Sequence, residues 1–328
     1  MAHAASATLS RCNRAGCTIL SLLARPLCAA TLRAHVDGSL GLFALRKRVD
    51  GPSPASLRRE VIRLREIGAL ERHALKRMPY TVENELTDAG RGILAVADTV
   101  DAWLARAPQG AIALGSEPAS GAIKALVGSW DSAILHEFAV RPLSHTELND
   151  RIPGISFPSL GRRLAAMRAT GQIDGVEEDG SSKPYAVTEW TRQATGPLIA
   201  AGRCEREHLT EITEPMTRLD IEAALLLAVP LVSCPESFSG SCLLVVDTGE
   251  NVDLDGGVEG VHVEVKGGHV VSCVPRLARG PRTWALGVVE AWVEAILDSR
   301  YDGLRIGGDD PQSVPALMDR LHVALSPA

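Results

Sequence analysis

Aromatic residues and catalytic motifs are scarce in this chain of 328 residues. Aromatics make up 4%, as four Phe, three Tyr and five Trp, and the G-x-S-x-G, P-loop, G-x-G-x-x-G and H-E-x-x-H motifs are absent. His262 and His269 lie in strand-like runs with no metal-ligand partner at suitable spacing beyond Glu264, and "GGDD" (307–310) is typical of a turn. We therefore expect no enzymatic activity, no metal and no cofactor.

Cysteine pairs and long apolar runs are also missing. The seven Cys residues are an odd number with no C-x-x-C pair, which favours neither a disulfide framework nor a zinc site. An apolar run after Arg14 faintly resembles a secretory signal, but Arg25 and Pro26 interrupt it. No run approaches the roughly 20 apolar residues of a membrane span. We expect a cytoplasmic protein with no membrane contact.

Positive charge is concentrated in the first third of a chain whose net charge is −6. Residues 1–108 carry 16 Lys and Arg against 10 Asp and Glu, residues 109–209 carry 10 against 12, and residues 210–328 carry 8 against 18. The hydrophobic content of 45% is that of a globular protein. The distribution predicts a surface for a polyanion near the N-terminus and an acidic last third that avoids phosphate.

A stretch of the first third recurs later in the chain. "SLRREVIRLREIGAL" (56–70) and "SLGRRLAAMRATGQI" (159–173) share Ser, Leu, Arg, Arg and Gly at matching places. Around the first copy the patterns predict a helix broken at Pro26, a short helix, a helix from an N-cap at Ser53 to a C-cap at Gly68, a strand-like basic turn and an amphipathic helix. The same order recurs around the second copy, which predicts two repeated domains, 15–108 and 117–209.

Two motifs resemble a family of regulators. "PYTVENELTDAGR" (79–91) resembles the wing exit of HxlR-type winged-helix regulators, and "GSW" (128–130) resembles their Gly-Gly-Lys-Trp entry to the second helix. The resemblance implies tandem winged helix-turn-helix modules; family members usually act as homodimers on two DNA half-sites. Glu117 stands where several members carry a redox-sensing Cys, and Leu27 replaces the Trp in the first copy. Thiol switching is therefore not expected.

The echoed helix of the first copy has one apolar and one basic face. On a helical wheel Leu57, Val61 and Leu64 point inward, while Arg59 and Arg63 point outward, the face that enters the major groove in a helix-turn-helix. A solvated basic surface is the alternative. The predicted DNA contacts of this copy are Arg46, Lys47, Arg48, Ser53, Ser56, Arg58, Arg59, Arg63, Lys76 and Arg77.

The second copy is a poorer DNA reader, because its wing "VEEDGSSK" carries acidic residues where phosphate would lie. Its candidate contacts are Ser156, Ser159, Arg162, Arg163 and Lys183. It either touches DNA itself or acts only as the partner in an intrachain pseudo-dimer, through "DTVDAWLARA" (98–107) and "GPLIAAGRCE" (196–205). Whether the chain also forms a homodimer stays open.

The last third, 210–328, differs in kind. A helix, strands of an antiparallel sheet and a helix across "TWALGVVEAWVEAIL" (283–297) are predicted, and the order resembles the sterol-carrier-protein fold. That resemblance implies an apolar pocket between sheet and helices, although ordinary core packing is the alternative for each residue. The predicted lining is Phe238, Val245, Val263, Trp284, Val288, Trp292, Ile296, Met318 and Leu321.

Taken together, the sequence predicts an α+β protein with two winged helix-turn-helix modules and a sterol-carrier-like domain. Its expected partners are double-stranded DNA and a hydrophobic small-molecule effector, as in a transcriptional regulator, more commonly a repressor. A small-molecule sequestering or resistance protein, with winged helices that serve only as scaffold, is the alternative. An enzyme using the last domain is a third reading that no motif supports.

Overall fold

The computed structural model describes residues 16–74, 82–127, 129–176, 184–209, 215–247 and 257–325. Helices and strands are mixed along the chain, which makes the fold α+β. The elements fall into a first segment (16–107), a second segment (117–209) and a third segment (215–325). Within the described residues no single helix is long and apolar enough to cross a membrane, although the first two helices meet that test when joined across their 84° bend.

The first segment consists of short helices around a small sheet. Its elements are α1 (Cys17–Leu23), α2 (Cys28–Ala34), β1 (Leu40–Gly41), α3 (Leu42–Arg48), α4 (Pro54–Glu66), β2 (Leu70–Ala74), β3 (Val82–Leu86) and α5 (Asp88–Ala105). The strands pair antiparallel in the order β1-β3-β2. The break between α1 and α2 falls at Pro26, as predicted.

The second segment follows nearly the same order. Its elements are α6 (Glu117–Val127), α7 (Ser129–Val140), α8 (His145–Arg151), α9 (Phe157–Ala169), β4 (Ile173–Gly175), β5 (Tyr185–Val187), α10 (Glu189–Gln193) and α11 (Thr195–His208). The strands β4 and β5 form an antiparallel hairpin. The single helix α5 of the first segment corresponds here to the pair α10 and α11.

The two echoed helices end in the same local structure. Gly68 follows α4 with φ +74° and Gly171 follows α9 with φ +76°, a left-handed conformation that favours glycine. The hydroxyl of Thr87 donates to the Gly68 carbonyl at 2.6 Å, and that of Thr188 donates to the Gly171 carbonyl at 2.8 Å. The echo in the sequence therefore reflects a local structure that is built twice.

Helices from both segments form a shared core. Leu57, Val61 and Leu64 of α4 are buried, as the wheel predicts. Helices α5 and α11 pack against each other, and α1 packs against α6 and α11. The approach of α5 and α11 is close, since a Cβ added at Gly92 would lie 2.9 Å from the Cys204 sulfur. The two segments are thus joined through a helical interface.

The third segment is a five-stranded sheet with helices on one face. Its elements are α12 (Arg218–Ala228), a 3-10 turn (Val229–Leu231), β6 (Gly240–Val246), β7 (Val258–Lys266), β8 (His269–Ala278), β9 (Thr283–Gly287), α13 (Val289–Asp298), β10 (Arg305–Gly308) and α14 (Ser313–Leu325). The strand order is β10-β9-β6-β7-β8, and α12, α13 and α14 all contact the sheet.

Two sequence predictions for this segment are wrong in part. The sheet is not wholly antiparallel, because β6 and β9 pair in parallel. The helix predicted over 283–297 begins only at Val289, since "TWALG" forms β9 between β6 and β10. An almost wholly apolar run does not distinguish a strand buried on both faces from a helix, and pairing with distant strands decides the outcome.

Candidate nucleic-acid interface

The basic cluster of α3 lies at the end of that helix. Arg46, Lys47 and Arg48 occupy the last turn and are exposed, and positive charge there is stabilised by the helix dipole. Arg48 is held in place, because it donates to the Ala34 carbonyl at 3.0 Å and pairs with Asp37 at 2.5 Å. Arg46 and Lys47 therefore remain the better candidates for contact with a ligand.

Local contacts position the exposed side chains of Arg46 and Lys47 on α3. The Lys47 ammonium lies 4.8 Å from the centre of the Phe43 ring, and Phe43 itself is strongly exposed. The Arg46 Nε donates to the Pro52 carbonyl at 3.1 Å, which leaves the rest of its guanidinium exposed. Both charges are therefore positioned by local contacts, and neither is paired with an acid among the described residues.

Two arginines on α4 face solvent. Arg58 and Arg59 are exposed, and the Arg59 Nε makes one bond, to the Ala55 carbonyl at 3.3 Å. Among the described residues, no carboxylate lies within ion-pair distance of either one. Ser53 caps the helix by accepting the Ser56 N–H at 3.1 Å, and its hydroxyl donates to that of Ser56 at 2.8 Å. The two serines thus position the helix start where they could also meet a ligand.

Arg63 does not project freely from α4, contrary to the wheel. Its guanidinium lies 3.7 Å from the carboxylate of Glu60, which is buried and 2% exposed. Arg25, in the turn between α1 and α2, donates to the Glu60 Oε2 at 3.0 Å and 2.9 Å. The buried acid therefore joins α4 to that turn, because a buried carboxylate requires such partners.

Glu60 is not among the functional residues that the sequence predicts. An acid in a strongly basic helix is ordinarily solvated, so it attracts no attention by type. The available signal was its position beside the apolar stripe, three residues after Leu57 and four before Leu64.

A groove beside α4 recurs beside α9. The first, of about 610 Å³, lies between α4 and the α1–α2 turn and is lined by residues that include Ser53, Ser56 and Arg59. The second, of about 520 Å³, is lined by residues that include the equivalents Ser156, Ser159 and Arg162. The same three residue types therefore line the same groove twice.

The second groove differs in its charged residues. Arg163 stands at the place of Glu60, and Ala166 at the place of Arg63, so the acid–base pairing of the first groove is not repeated. The Arg162 guanidinium donates to the Ser159 hydroxyl at 3.2 Å, and the Ser156 side chain makes no cap bond. The second groove is basic as well, which the acidic wing sequence does not suggest.

Some predicted contacts lie outside the described residues. These are Lys76 and Arg77 of the first copy, Lys183 of the second, and the acidic stretch 177–179. Of the two family-like motifs, residues 79–81 and Gly128 also lie outside them, as does the side chain of Trp130.

The pairing of β2 with β3 brings one histidine and two acidic side chains together, which the sequence of either strand alone does not indicate. His73 Nε2 lies 3.0 Å from the Glu71 carboxylate and 3.3 Å from that of Glu85, and all three side chains are exposed. Their ligand atoms lie within 4.8 Å of one another and are of a kind that a divalent transition metal can bind. The cluster forms only because β2 and β3 are paired, since two of its members lie on one strand and one on the other.

The predicted lining of a C-terminal pocket is divided by the sheet. Val245 packs with Leu243 and Leu286 on one face, together with the half-buried Trp284. Val263 lies in the main core on the other face. Since Trp284 lies on β9 and Trp292 on α13, the two do not share the helix that is predicted over 283–297.

The remaining members of that set are core or surface residues. Trp292 is fully buried on α13, and its indole N–H donates to the Val245 carbonyl at 2.9 Å. Ile296, Met318 and Leu321 are packed in the main core, and Phe238 is half-buried at the edge of that core. Val288 is 45% exposed at the start of α13. The nine residues therefore do not line a single pocket.

The chain matches no family model and no curated protein.

Proposed function

We propose that the protein is a DNA-binding regulator in which the first and second segments are tandem winged helix-turn-helix modules. The observation that carries this proposal is the exposed pair Arg58 and Arg59 on α4, beside a groove whose Ser, Ser and Arg recur at α9. Two copies of one basic groove on one chain suit a ligand with repeating negative charge, and duplex DNA is such a ligand.

In the proposed complex, α4 enters the major groove. Arg58 and Arg59 reach base edges, where an arginine can donate two hydrogen bonds to one guanine. Arg46 and Lys47 at the end of α3 meet phosphates, which position the protein without reading sequence. Glu60 contributes indirectly, because its pairing with Arg25 sets the orientation of α4 against the rest of the module.

The second module acts in this proposal as the covalently attached partner of the first. The packing of α5 against α11 supports an intrachain pair, in the place that a homodimer interface would take. Arg162 and Arg163 give α9 a basic surface of its own, so that two helices of one chain address one operator. The protein would act in the cytoplasm, where the DNA of such regulators lies.

The test compares arginine variants on duplexes selected from a random library. Arg59→Ala is expected to weaken binding by roughly 1–3 kcal/mol at fixed salt. Arg91→Ala is the matched control, because Arg91 is exposed on α5 and is paired with Asp88 at 2.8 Å. Equal losses of DNA affinity in the two variants would contradict the proposal that α4 contacts the bases.

Failure of the wild-type chain to retain any duplex would instead favour the sequestering alternative. In that case the first and second segments would serve as scaffold, and the affinity of the protein for small molecules would be the property to measure.

A further inference from the structure

A cavity lies where the three segments meet. It has a volume of about 90 Å³, is partly open to solvent, and is bounded by α1 of the first segment, α6, α7 and α11 of the second, and α12 of the third. Most of its wall is apolar, from side chains that include Leu126, Leu135, Leu198, Ile199 and Leu227. This junction cavity is distinct from the C-terminal pocket that the sequence suggests.

One polar group in the wall has no hydrogen-bond partner within the part of the chain that the structure describes. Thr195 is 1% exposed, and its hydroxyl oxygen is buried without a partner among the described residues. The hydroxyls of Thr99 and Thr170 show the usual solution, since each donates to a carbonyl of its own helix, at 2.8 Å and 3.2 Å. Leaving a buried hydroxyl unpaired is unfavourable, so a molecule that bonds to Thr195 would gain that lost interaction.

The other polar residues of the wall, Asp220, Cys17 and His136, already have interaction partners. Asp220 accepts the backbone N–H and the hydroxyl of Thr217, at 2.8 Å and 2.7 Å, as part of the cap of α12. The Cys17 thiol donates weakly to the Val127 carbonyl at 3.9 Å. An anion would meet the carboxylate of Asp220, and any ion would lose hydration in a wall that is mostly apolar. The chemistry of the wall therefore selects an uncharged molecule.

We infer that the junction cavity binds a small, uncharged, mostly apolar molecule that carries one hydroxyl or carbonyl oxygen bonded to Thr195. The cavity, at about 90 Å³, is smaller than the apolar cavity of about 150 Å³ that holds benzene. Because this cavity is open on one side, a single-ring molecule would fit with part of the ring in the opening. The ligand class is that of simple phenols and short alcohols.

The position of α1 connects the junction cavity to the proposed DNA surface, and this part rests on the proposed function. At its start, Cys17 lines the cavity, and the Glu205 carboxylate of α11 accepts the N–H groups of Gly16 and Ile19 at 2.6 Å and 2.8 Å. Just beyond its end, Arg25 is bonded to Glu60 of α4. A ligand that favours one placement of α1 therefore alters the placement of α4, provided that it binds the two arrangements with different affinity.

The binding experiment uses phenol and toluene, which have similar shapes but differ in the hydroxyl. Calorimetric titration of the full-length chain is expected to show tighter binding of phenol. Thr195→Val, which keeps the side-chain shape, is expected to weaken phenol binding roughly two- to ten-fold and to leave toluene unchanged. Absence of phenol binding, or equal phenol affinity of wild type and variant, overturns the site.

A second variant tests the location without changing the hydroxyl. Ala223→Leu places a larger side chain on the wall formed by α12 and is expected to abolish binding of both compounds. Thermal unfolding checks that each variant is folded. If Ala223→Leu does not fold, the phenol affinity of Thr195→Val alone tests the site. Unchanged binding in folded Ala223→Leu overturns the location.

The regulatory part is tested by DNA affinity with and without phenol. A change of at least about three-fold in wild type, reduced in Thr195→Val, supports it, whereas no change overturns it. Phenol binding without any DNA binding leaves the site standing and rejects the proposed function. DNA binding without phenol binding rejects the site and leaves the proposed function standing.

Discussion

The indole N–H of Trp103 donates to the backbone carbonyl of Trp190 at 2.8 Å, and the indole N–H of Trp190 donates to the carbonyl of Trp103 at 2.9 Å. The two rings are stacked, with centroids 4.6 Å apart and planes 10° from parallel. Both side chains are buried, so the exchange fastens α5 of the first segment to α10 of the second. Because both indole donors are satisfied within an apolar core, we regard this contact as a fixed joint between the two segments.

Replacing one of these tryptophans should weaken that joint. Trp103→Phe removes one donor and leaves the Trp190 carbonyl without it, for an expected loss of about 1–3 kcal/mol in the free energy of unfolding. Urea titration measures this loss, and the exciton signal of the stacked pair in near-ultraviolet circular dichroism should disappear. Trp284→Phe serves as the control, because Trp284 lies on the sheet and stacks on no aromatic ring of the described part of the chain. A stacking signal that survives in Trp103→Phe would contradict the assignment.

A glycine in α5 provides a steric prediction. A Cβ at Gly90 would lie 2.2 Å from the Ala69 carbonyl oxygen, so Gly90→Ala must shift the backbone and should cost about 1–3 kcal/mol in unfolding free energy. Gly121 in α6 has nothing within 4 Å of that position, and Gly121→Ala should stabilise the chain by up to about 1 kcal/mol. Denaturant unfolding of both variants checks the pair, and a destabilised Gly121→Ala would show that helix propensity does not govern that site.

The buried Glu205 makes stability depend on pH. Burial raises the pKa of its carboxyl, although the N–H groups of α1 that it accepts act in the opposite direction. Between the unfolded and folded pKa values the native state holds the extra proton, so the stability from this group is present at low pH and is lost as the pH rises through the folded pKa. Glu205→Gln lacks this proton equilibrium.

The measurement is the difference in unfolding free energy between wild type and Glu205→Gln, from about pH 4 to about pH 8. Wild type should lose stability relative to the variant as the pH rises, because all other titrating groups are shared and cancel. A difference that is constant across this range, or that grows in favour of wild type, would reverse the sign assigned to burial.

Glu60 should affect both stability and DNA binding. Glu60→Gln removes the charge that holds Arg25 and Arg63, and we expect a loss of about 1–3 kcal/mol in unfolding free energy together with weaker DNA binding. Glu66→Gln is the matched control, since Glu66 is exposed at the end of the same helix. Tighter DNA binding in Glu60→Gln, as expected from lost negative charge alone, would argue against a role in orienting α4.

The two basic grooves can be ranked by equivalent substitutions. Arg59→Ala and Arg162→Ala remove the same residue from α4 and α9, and both should weaken DNA binding if both helices contact the duplex. The salt dependence of the affinity should also become less steep with each lost phosphate contact. Titration of the single and double variants at several salt concentrations checks this. An inert Arg162→Ala would leave the second segment only its role as partner.

Much of the fold could be predicted from the sequence because the signals are local. The apolar spacing of Leu57, Val61 and Leu64, the cap at Ser53 and the left-handed Gly68 define α4 from within a few residues. The recurrence of the same pattern at α9 predicts the second copy in the same way. The helical wheel predicts the exposed position of Arg59 correctly because it needs no distant partner, whereas it does not predict the contact of Arg63 with the buried Glu60.

What required the tertiary structure depends on contacts between distant residues. Arg25 meets Glu60 across 35 positions, and Trp103 meets Trp190 across 87, so neither pairing can be inferred from a local pattern. The strand β9 lies in a range that the sequence predicts as helix, because its pairing with β6 and β10, and not its own periodicity, determines its conformation. The junction cavity is formed by helices of all three segments, so its position depends on how these helices pack and cannot be predicted from any one of them. Local propensity and capping act within one helical turn, whereas burial and pairing arise from the folded chain as a whole.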